Sequence, residues 1–188
     1  LSDLPKIHYI LVTHGHADHL GDTVEIARKH NSKVICNFEI AQYIDKYNIS
    51  YHAMHIGGRT NLEFGKVKMT PAIHGSSITE STHIIYAGVA CGFLIEIDNI
   101  KLYHAGDTAL TYDMKLLERE QIDYAILPIG GNFTMDLEDS LHALEMIRPK
   151  KAIPMHYNTF ELIKEDPHRF KSPLCEVIVM NPHDSIEI

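Results

Sequence analysis

Tyr9-Ile10-Leu11-Val12-Thr13-His14-Gly15-His16-Ala17-Asp18-His19-Leu20 decides how this chain is read. Tyr9 to Thr13 is a buried strand by composition. Leu20, Val24 and Ala27 recur at i, i+4 and i+7, so a helix is expected from there to about His30. Between them, residues 14–19 hold three imidazoles and a carboxylate, on a strand-to-helix loop where chemistry sits on a rigid scaffold. Alternate residues of such a turn diverge, so it can face two neighbouring points at once. The chain holds 14 histidines, and random placement yields roughly 0.005 occurrences of this pattern, which makes chance a poor account. The plain alternative is a polar turn with solvated histidines.

Working outward, strands are expected at Val34 to Cys36, Ile84 to Ala90, Phe93 to Ile97, Lys101 to His104, Tyr124 to Leu127, Ala152 to Met155 and Val177 to Val179. Short strands are also expected around Gly57-Gly58 and Gly65-Lys66, where Val67, Met69 and Pro71 alternate with polar neighbours. Asp98-Asn99 reads as a turn. Helical stripes run through Ile40, Ala41 and Ile44, through Leu110, Met114 and Leu117, and through Leu137, Leu141, Leu144 and Ile147. The last opens at Asp136 and stops before Pro149. Strand clusters followed by strand–helix alternation imply one layered α/β domain across residues 1–188.

Composition sets the outer limits. Hydrophobic residues make up 45% of the 188, ordinary for a globular chain, and no apolar run approaches a membrane span. The net charge is −8 and no basic run is present, which disfavours a nucleic-acid partner. Cys36, Cys91 and Cys175 are odd in number and far apart, so a disulfide framework is disfavoured, a reducing cytoplasm fits, and all three read as small apolar side chains. The chain starts at Leu1, so it carries no information about a leader peptide.

The His14-to-His19 motif is the signature of the metallo-β-lactamase superfamily, and the chain resembles that family along nearly its whole length. THGHADHLGD, MHIGG, YHAGDT, LPIG, NFTM and PMHYNTF look like an uncharacterised family of small metal-dependent hydrolases related to the L-ascorbate-6-phosphate lactonase branch. The resemblance implies a four-layer αβ/βα sandwich and two divalent cations, zinc first, with manganese or iron as alternatives. It implies that His14, His16 and His74 hold one cation, that Asp18, His19 and His156 hold the other, and that Asp107 bridges them. The activity implied is hydrolysis of a small lactone, ester or phosphodiester by a hydroxide formed on the cations, with Asp18 also orienting it. His104, Asn132 and Tyr157 lie beside the motif segments and are candidates for proton transfer or for orienting the ligands. His55 is a candidate pocket residue, and the remaining histidines read as surface or packing residues.

Two departures from the family pattern stand out. Gly131 replaces an acidic residue before Asn132. The family's additional β-rich N-terminal segment is not in this chain, so one sheet is expected to show an unpaired edge, filled by another copy or by a second chain that supplies strands. Competing readings are an RNA-processing nuclease of the same superfamily, a di-iron redox protein and a non-catalytic metal or ligand sensor. The first lacks basic charge, the second usually carries Glu where His16 stands, and the complete ligand set weighs against the third.

Overall fold

The computed structural model describes residues 4–187. The first strand, β1 (Tyr9–Leu11), leads through the histidine loop into α1 (Ala17–Leu20) and α2 (Thr23–His30). Then come β2 (Lys33–Asn37), α3 (Phe38–Asp45), β3 (Tyr51–Met54), β4 (Arg59–Leu62), β5 (Gly65–Pro71), β6 (Ser77–Glu80) and β7 (His83–Tyr86). The second half runs β8 (Cys91–Ile97), β9 (Ile100–His104), a 3₁₀ helix (Tyr112–Glu120), β10 (Tyr124–Pro128), α4 (Leu137–Ile147), β11 (Lys151–Met155) and β12 (Glu176–Val177).

The strands form a parallel three-stranded sheet in the order β1-β2-β3, a seven-stranded sheet in the order β12-β11-β10-β9-β8-β5-β4, and the β6–β7 hairpin. Three apolar clusters arrange these into four layers. Val12, Val34 and Cys36 pack the first sheet against Leu20 and Ala27 of α1 and α2 and against Ile40, Ala41 and Ile44 of α3. Ile35 alternates to the opposite face, where it joins Met54, Val67, Met69, Cys91 and Phe93 between the two sheets. Leu94, next to Phe93, faces the other way again, with Tyr103, Ala125 and Leu127. These pack on Met114 and Leu117 of the 3₁₀ helix and on Ala143, Leu144 and Ile147 of α4. The period-two alternation of each strand thus feeds two different layers.

Local chemistry explains the element ends. Asn37 caps α3 by accepting from the Ile40 N–H at 2.8 Å. Asp136 caps α4 by accepting from the Asp139 N–H at 2.9 Å. Asp98 and Asn99 both take positive φ, 50° and 69°, as a tight two-residue hairpin between β8 and β9 requires.

Four expectations are corrected. The helix read from Leu20 to His30 is two helices, because Gly21 takes φ 40° and closes α1 onto the Ala17 carbonyl. The strand read at Ile84 to Ala90 stops at Tyr86 and pairs with β6, a strand with no strong apolar signal of its own. The stripe beginning at Leu110 is a 3₁₀ helix whose buried residues, Met114 and Leu117, sit three apart, the repeat of that helix. The last strand is Glu176–Val177 rather than Val177 to Val179.

Among the described residues the first sheet is bounded by β3 on one side and by β1 on the other. A hollow of about 550 Å³ opens beside β1, walled by Ile7, Tyr9, Leu11, Phe64, Ile95 and Ile97. No helix among the described residues is long and apolar enough to cross a membrane.

Leu144 is fully buried between α4 and the large sheet. Leu144→Ala is expected to lower unfolding stability by about 2–5 kcal/mol, read from urea denaturation with an unchanged m-value.

Candidate metal centre

β5 and β9 are each antiparallel to β8, and β9, β10 and β11 are mutually parallel, so β5, β9 and β11 end at the same edge of the large sheet. His74, Asp107 and His156 follow those three ends. His14 follows β1 of the smaller sheet, and the structure brings all seven expected ligand residues together there.

Asp107 is the hub. Its Oδ2 lies 3.2 Å from His19 Nε2, 3.2 Å from His156 Nε2, 3.7 Å from His74 Nε2 and 3.9 Å from His14 Nε2. Asp18 Oδ2 lies 3.4 Å from His19 Nε2 and 3.7 Å from His156 Nε2. His14 Nε2 lies 3.0 Å from His16 Nδ1. Ligand atoms of His14, His16 and His74 fall within 4.8 Å of one another, as do those of Asp18, His19 and His156, and those of His14, His19 and Asp107.

These residues fit a divalent cation on their own chemistry. His19 Nε2, His156 Nδ1 and Asp107 Oδ1 are buried and meet no hydrogen-bond partner among the described residues. Orphaned buried polar atoms are rare in folded proteins, and His19 Nε2 beside the Asp107 carboxylate asks for a ligand. Burial pushes His14 down to about 3, with the neighbouring His19 adding to the effect, so its imidazole is neutral and free to coordinate. Burial also lowers His74. Burial alone would lower His19 too, but the Asp107 carboxylate 3.2 Å away, together with Asp18, outweighs that and raises it. Burial would raise Asp107, yet the same His19 contact and the charges of His156 and His14 hold it below the usual carboxylate range.

The loops are stitched to one another. Thr13 Oγ1 lies 3.0 Å from His14 Nδ1, which leaves Nε2 turned toward Asp107. Ser76 Oγ accepts from the Gly15 N–H at 3.1 Å and donates to the Ala87 carbonyl. Thr108 Oγ1 accepts from the Ile73 N–H at 3.0 Å, and the Thr108 carbonyl accepts from the Met135 N–H at 2.8 Å. Gly106 takes φ 66°, and a Cβ there would stand 2.5 Å from the Cys91 carbonyl oxygen. His156 itself adopts φ 55°, a left-handed conformation uncommon outside glycine, Asn and Asp and often seen at functional sites.

The other sequence candidates are placed differently. His104 ends β9 beside the cluster, where burial pushes it down to about 4, and its Nδ1 accepts from the Gly106 N–H at 3.1 Å. A neutral, hydrogen-bonded imidazole suits orientation of the Asp107 turn. Asn132 is exposed and lies outside the wall of the site cavity. Tyr157 packs on the core under α4 and lines a separate hollow of about 660 Å³ behind His156. His55 is exposed and stacks on Phe38. Cys36 and Cys91 are buried with thiols pushed up to about 12 by burial, which makes them inert as nucleophiles.

The cavity over the ligands has a volume of about 270 Å³ and is walled by His16, Asp18, His74, Asp107, His156, Phe133 and Phe160. The two phenylalanines carry no titration or ligation signal, so the sequence offered no reason to single them out, although both stand in the NFTM and NTF strings.

Two outcomes are expected of this geometry. Gly106→Ala combines a left-handed backbone with a carbonyl clash, so a loss of about 1–3 kcal/mol is expected in denaturant unfolding. A cation must also displace the proton that His19 holds above the ordinary imidazole range, whereas His14 has none to lose near neutrality. Apparent metal affinity, measured against a chromophoric chelator, is therefore expected to fall up to about tenfold per pH unit below neutrality. Affinity independent of pH there would rule His19 out as a ligand.

Comparison with known proteins shows the family. Residues 1–157 match the β-lactamase superfamily domain. A UPF0173 metal-dependent hydrolase of Alkaliphilus metalliredigens is 55% identical over 177 residues, covering 93% of this chain and 79% of the relative. One from Geobacillus is 49% identical over 187 residues, covering 97% of this chain and 83% of the relative. Igni18, a metallo hydrolase from the archaeon Ignicoccus hospitalis, superposes with a TM-score of 0.87 at 35% identity, over 96% of this chain and 79% of that one. With this fold, this ligand cluster and these relatives, the chain belongs to the metal-dependent hydrolases of the β-lactamase superfamily.

Proposed function

We propose that this hydrolase uses two divalent cations to cleave a small lactone or ester, with a phosphodiester as the second substrate class. The observation that carries the reading is the position of Asp107 Oδ2, within 4 Å of imidazole nitrogens on both sides of the cluster. One carboxylate so placed could serve two cations. His14, His16 and His74 would hold the first, and Asp18, His19 and His156 the second, with Asp107 shared. Five imidazoles and two carboxylates suit zinc first, with manganese or iron as alternatives. When bound, such cations acidify water near neutral pH and offset charge that builds on the attacked group.

The chain's own residues supply the rest. Asp18 is the most exposed of the seven, with 61% of its side chain open to solvent. It accepts a proton from the attacking water and orients that water toward the open side of the cavity. The buried Asp107, held below the usual carboxylate range by His19, His156 and His14, would offset part of the cations' charge. His104 steadies the turn that carries Asp107. At about 270 Å³ the cavity suits a small molecule and excludes a folded polymer from its floor.

The decisive experiment loads the protein with zinc or manganese and screens lactones, carboxylic esters, bis-p-nitrophenyl phosphate and structured RNA. Turnover of lactones or esters is expected, with RNA untouched. His16→Ala and Asp107→Ala are each expected to lower kcat/KM by about a thousandfold and to reduce bound metal. Full activity with full metal content in either variant would overturn the ligand assignment.

A further inference from the structure

Phe133 and Phe160 form the apolar lip of a cavity whose floor is otherwise imidazole and carboxylate. Each is large and apolar, yet each remains about half exposed, at 49% and 46%. Their ring centroids lie 6.1 Å apart with the planes tilted by 50°, so neither ring covers the other's face. Aromatic faces left open beside a reaction centre are surface that a ligand can remove from water.

The two rings are held in place by their backbones. Phe133 stands on a turn in which Gly131 and Asn132 take φ 66° and 52°. That turn is closed by the Gly131 N–H donating to the Met135 carbonyl at 3.0 Å. Phe160 stands on a turn in which the Asn158 N–H donates to the Ile163 carbonyl at 2.9 Å, with the Ile163 side chain fully buried. The turns touch at Gly130, where a Cβ would stand 2.3 Å from the His156 carbonyl oxygen and 2.9 Å from Ile163 Cβ. A lip fixed in this way loses little conformational freedom when it meets a ligand. Among the described residues no lysine or arginine lines the cavity, so an anionic arm would have no cationic partner in its wall.

We propose that Phe133 and Phe160 grip an uncharged, apolar acyl or alkyl arm of the substrate, and so direct the enzyme to lactones or esters that carry such an arm. The inference rests on the hydrolytic reading above and narrows it. The two phenylalanines are specificity-determining residues that take no part in the chemical step.

The test uses metal-loaded protein and p-nitrophenyl esters from acetate to octanoate. In the wild type, kcat/KM is expected to rise about fourfold with each of the first added methylenes. The double variant Phe133→Ala/Phe160→Ala is expected to flatten that series while keeping its metal content and its thermal transition. Phe133→Leu and Phe160→Leu, which stay apolar, are expected to keep part of the rise. Phe38→Ala, an exposed phenylalanine outside the cavity, is expected to leave the series unchanged. Calorimetric binding of acetate against hexanoate gives a readout that needs no turnover. Tighter hexanoate binding in the wild type but not in the double variant supports the clamp even if no ester is cleaved, and in that case it is the reaction class that fails. A chain-length series or a hexanoate preference unaltered in the metal-replete double variant would overturn the proposal.

Discussion

The buried carboxylate of Asp107 is the constraint around which the rest of the molecule is arranged. It sits 3% exposed among four imidazole nitrogens. A charge taken out of water is costly unless it is matched. His19 matches it in part, which is why one imidazole is raised while His14 and His74 are driven toward neutrality. Within the cluster His14 and His74 are thus set toward the neutral form and Asp107 toward the ionised form that a divalent cation requires of its ligands, while the proton on His19 is one it must displace.

Holding such a cluster together is a backbone problem. Its members come from four loops on two sheets, and like-charged or desolvated groups do not gather of their own accord. The hydrogen bonds that hold them run between loops. Thr108 receives the Ile73 N–H from the His74 loop and offers its carbonyl to Met135 in the loop before α4. The Cys91 N–H and Sγ both donate to the Thr13 carbonyl, tying the small sheet to the large one beside His14. Gly15, Gly106 and Gly130 allow close approach, each where a Cβ would meet an atom at 2.6 Å or less. Packed layers on either side stiffen this frame, so the left-handed strain at His156 can persist.

Much of this was legible in the sequence because the ligands are chemically loud. His14, His16, Asp18 and His19 crowd into six residues, and His74, Asp107 and His156 each stand just past an apolar run that could only be a strand. The capping aspartate of α4 and the Asp98-Asn99 turn were equally plain, since each is a local side-chain or backbone preference. What escaped the reading depended on tertiary context. The β6 strand, Ser77–Glu80, has little apolar signal and exists because β7 pairs with it. The break at Gly21 interrupts a continuous helical stripe for the sake of the tight histidine turn. Asn132 and Tyr157 drew notice as polar neighbours of motif residues; neither lines the cavity over the cluster, where Phe133 and Phe160 stand.

That exchange of polar for apolar residues at the rim bears on how the centre works. A water-filled mouth lined by further polar groups would screen the cluster and weaken every electrostatic interaction within it. Two phenylalanines at the lip, by contrast, let an incoming ligand close the cavity with apolar surface and displace solvent from above the carboxylates. On the proposed reading the floor would then supply charge, and the lip would supply exclusion of water. The floor is assembled from strand ends that the fold fixes, whereas the lip comes from two turns that meet at Gly130, beside His156 and Ile163. On the reading proposed above, reaction type and substrate preference would be set by different parts of the chain, and sequence change in the two turns would alter what is bound while leaving Asp107 and its imidazoles in place.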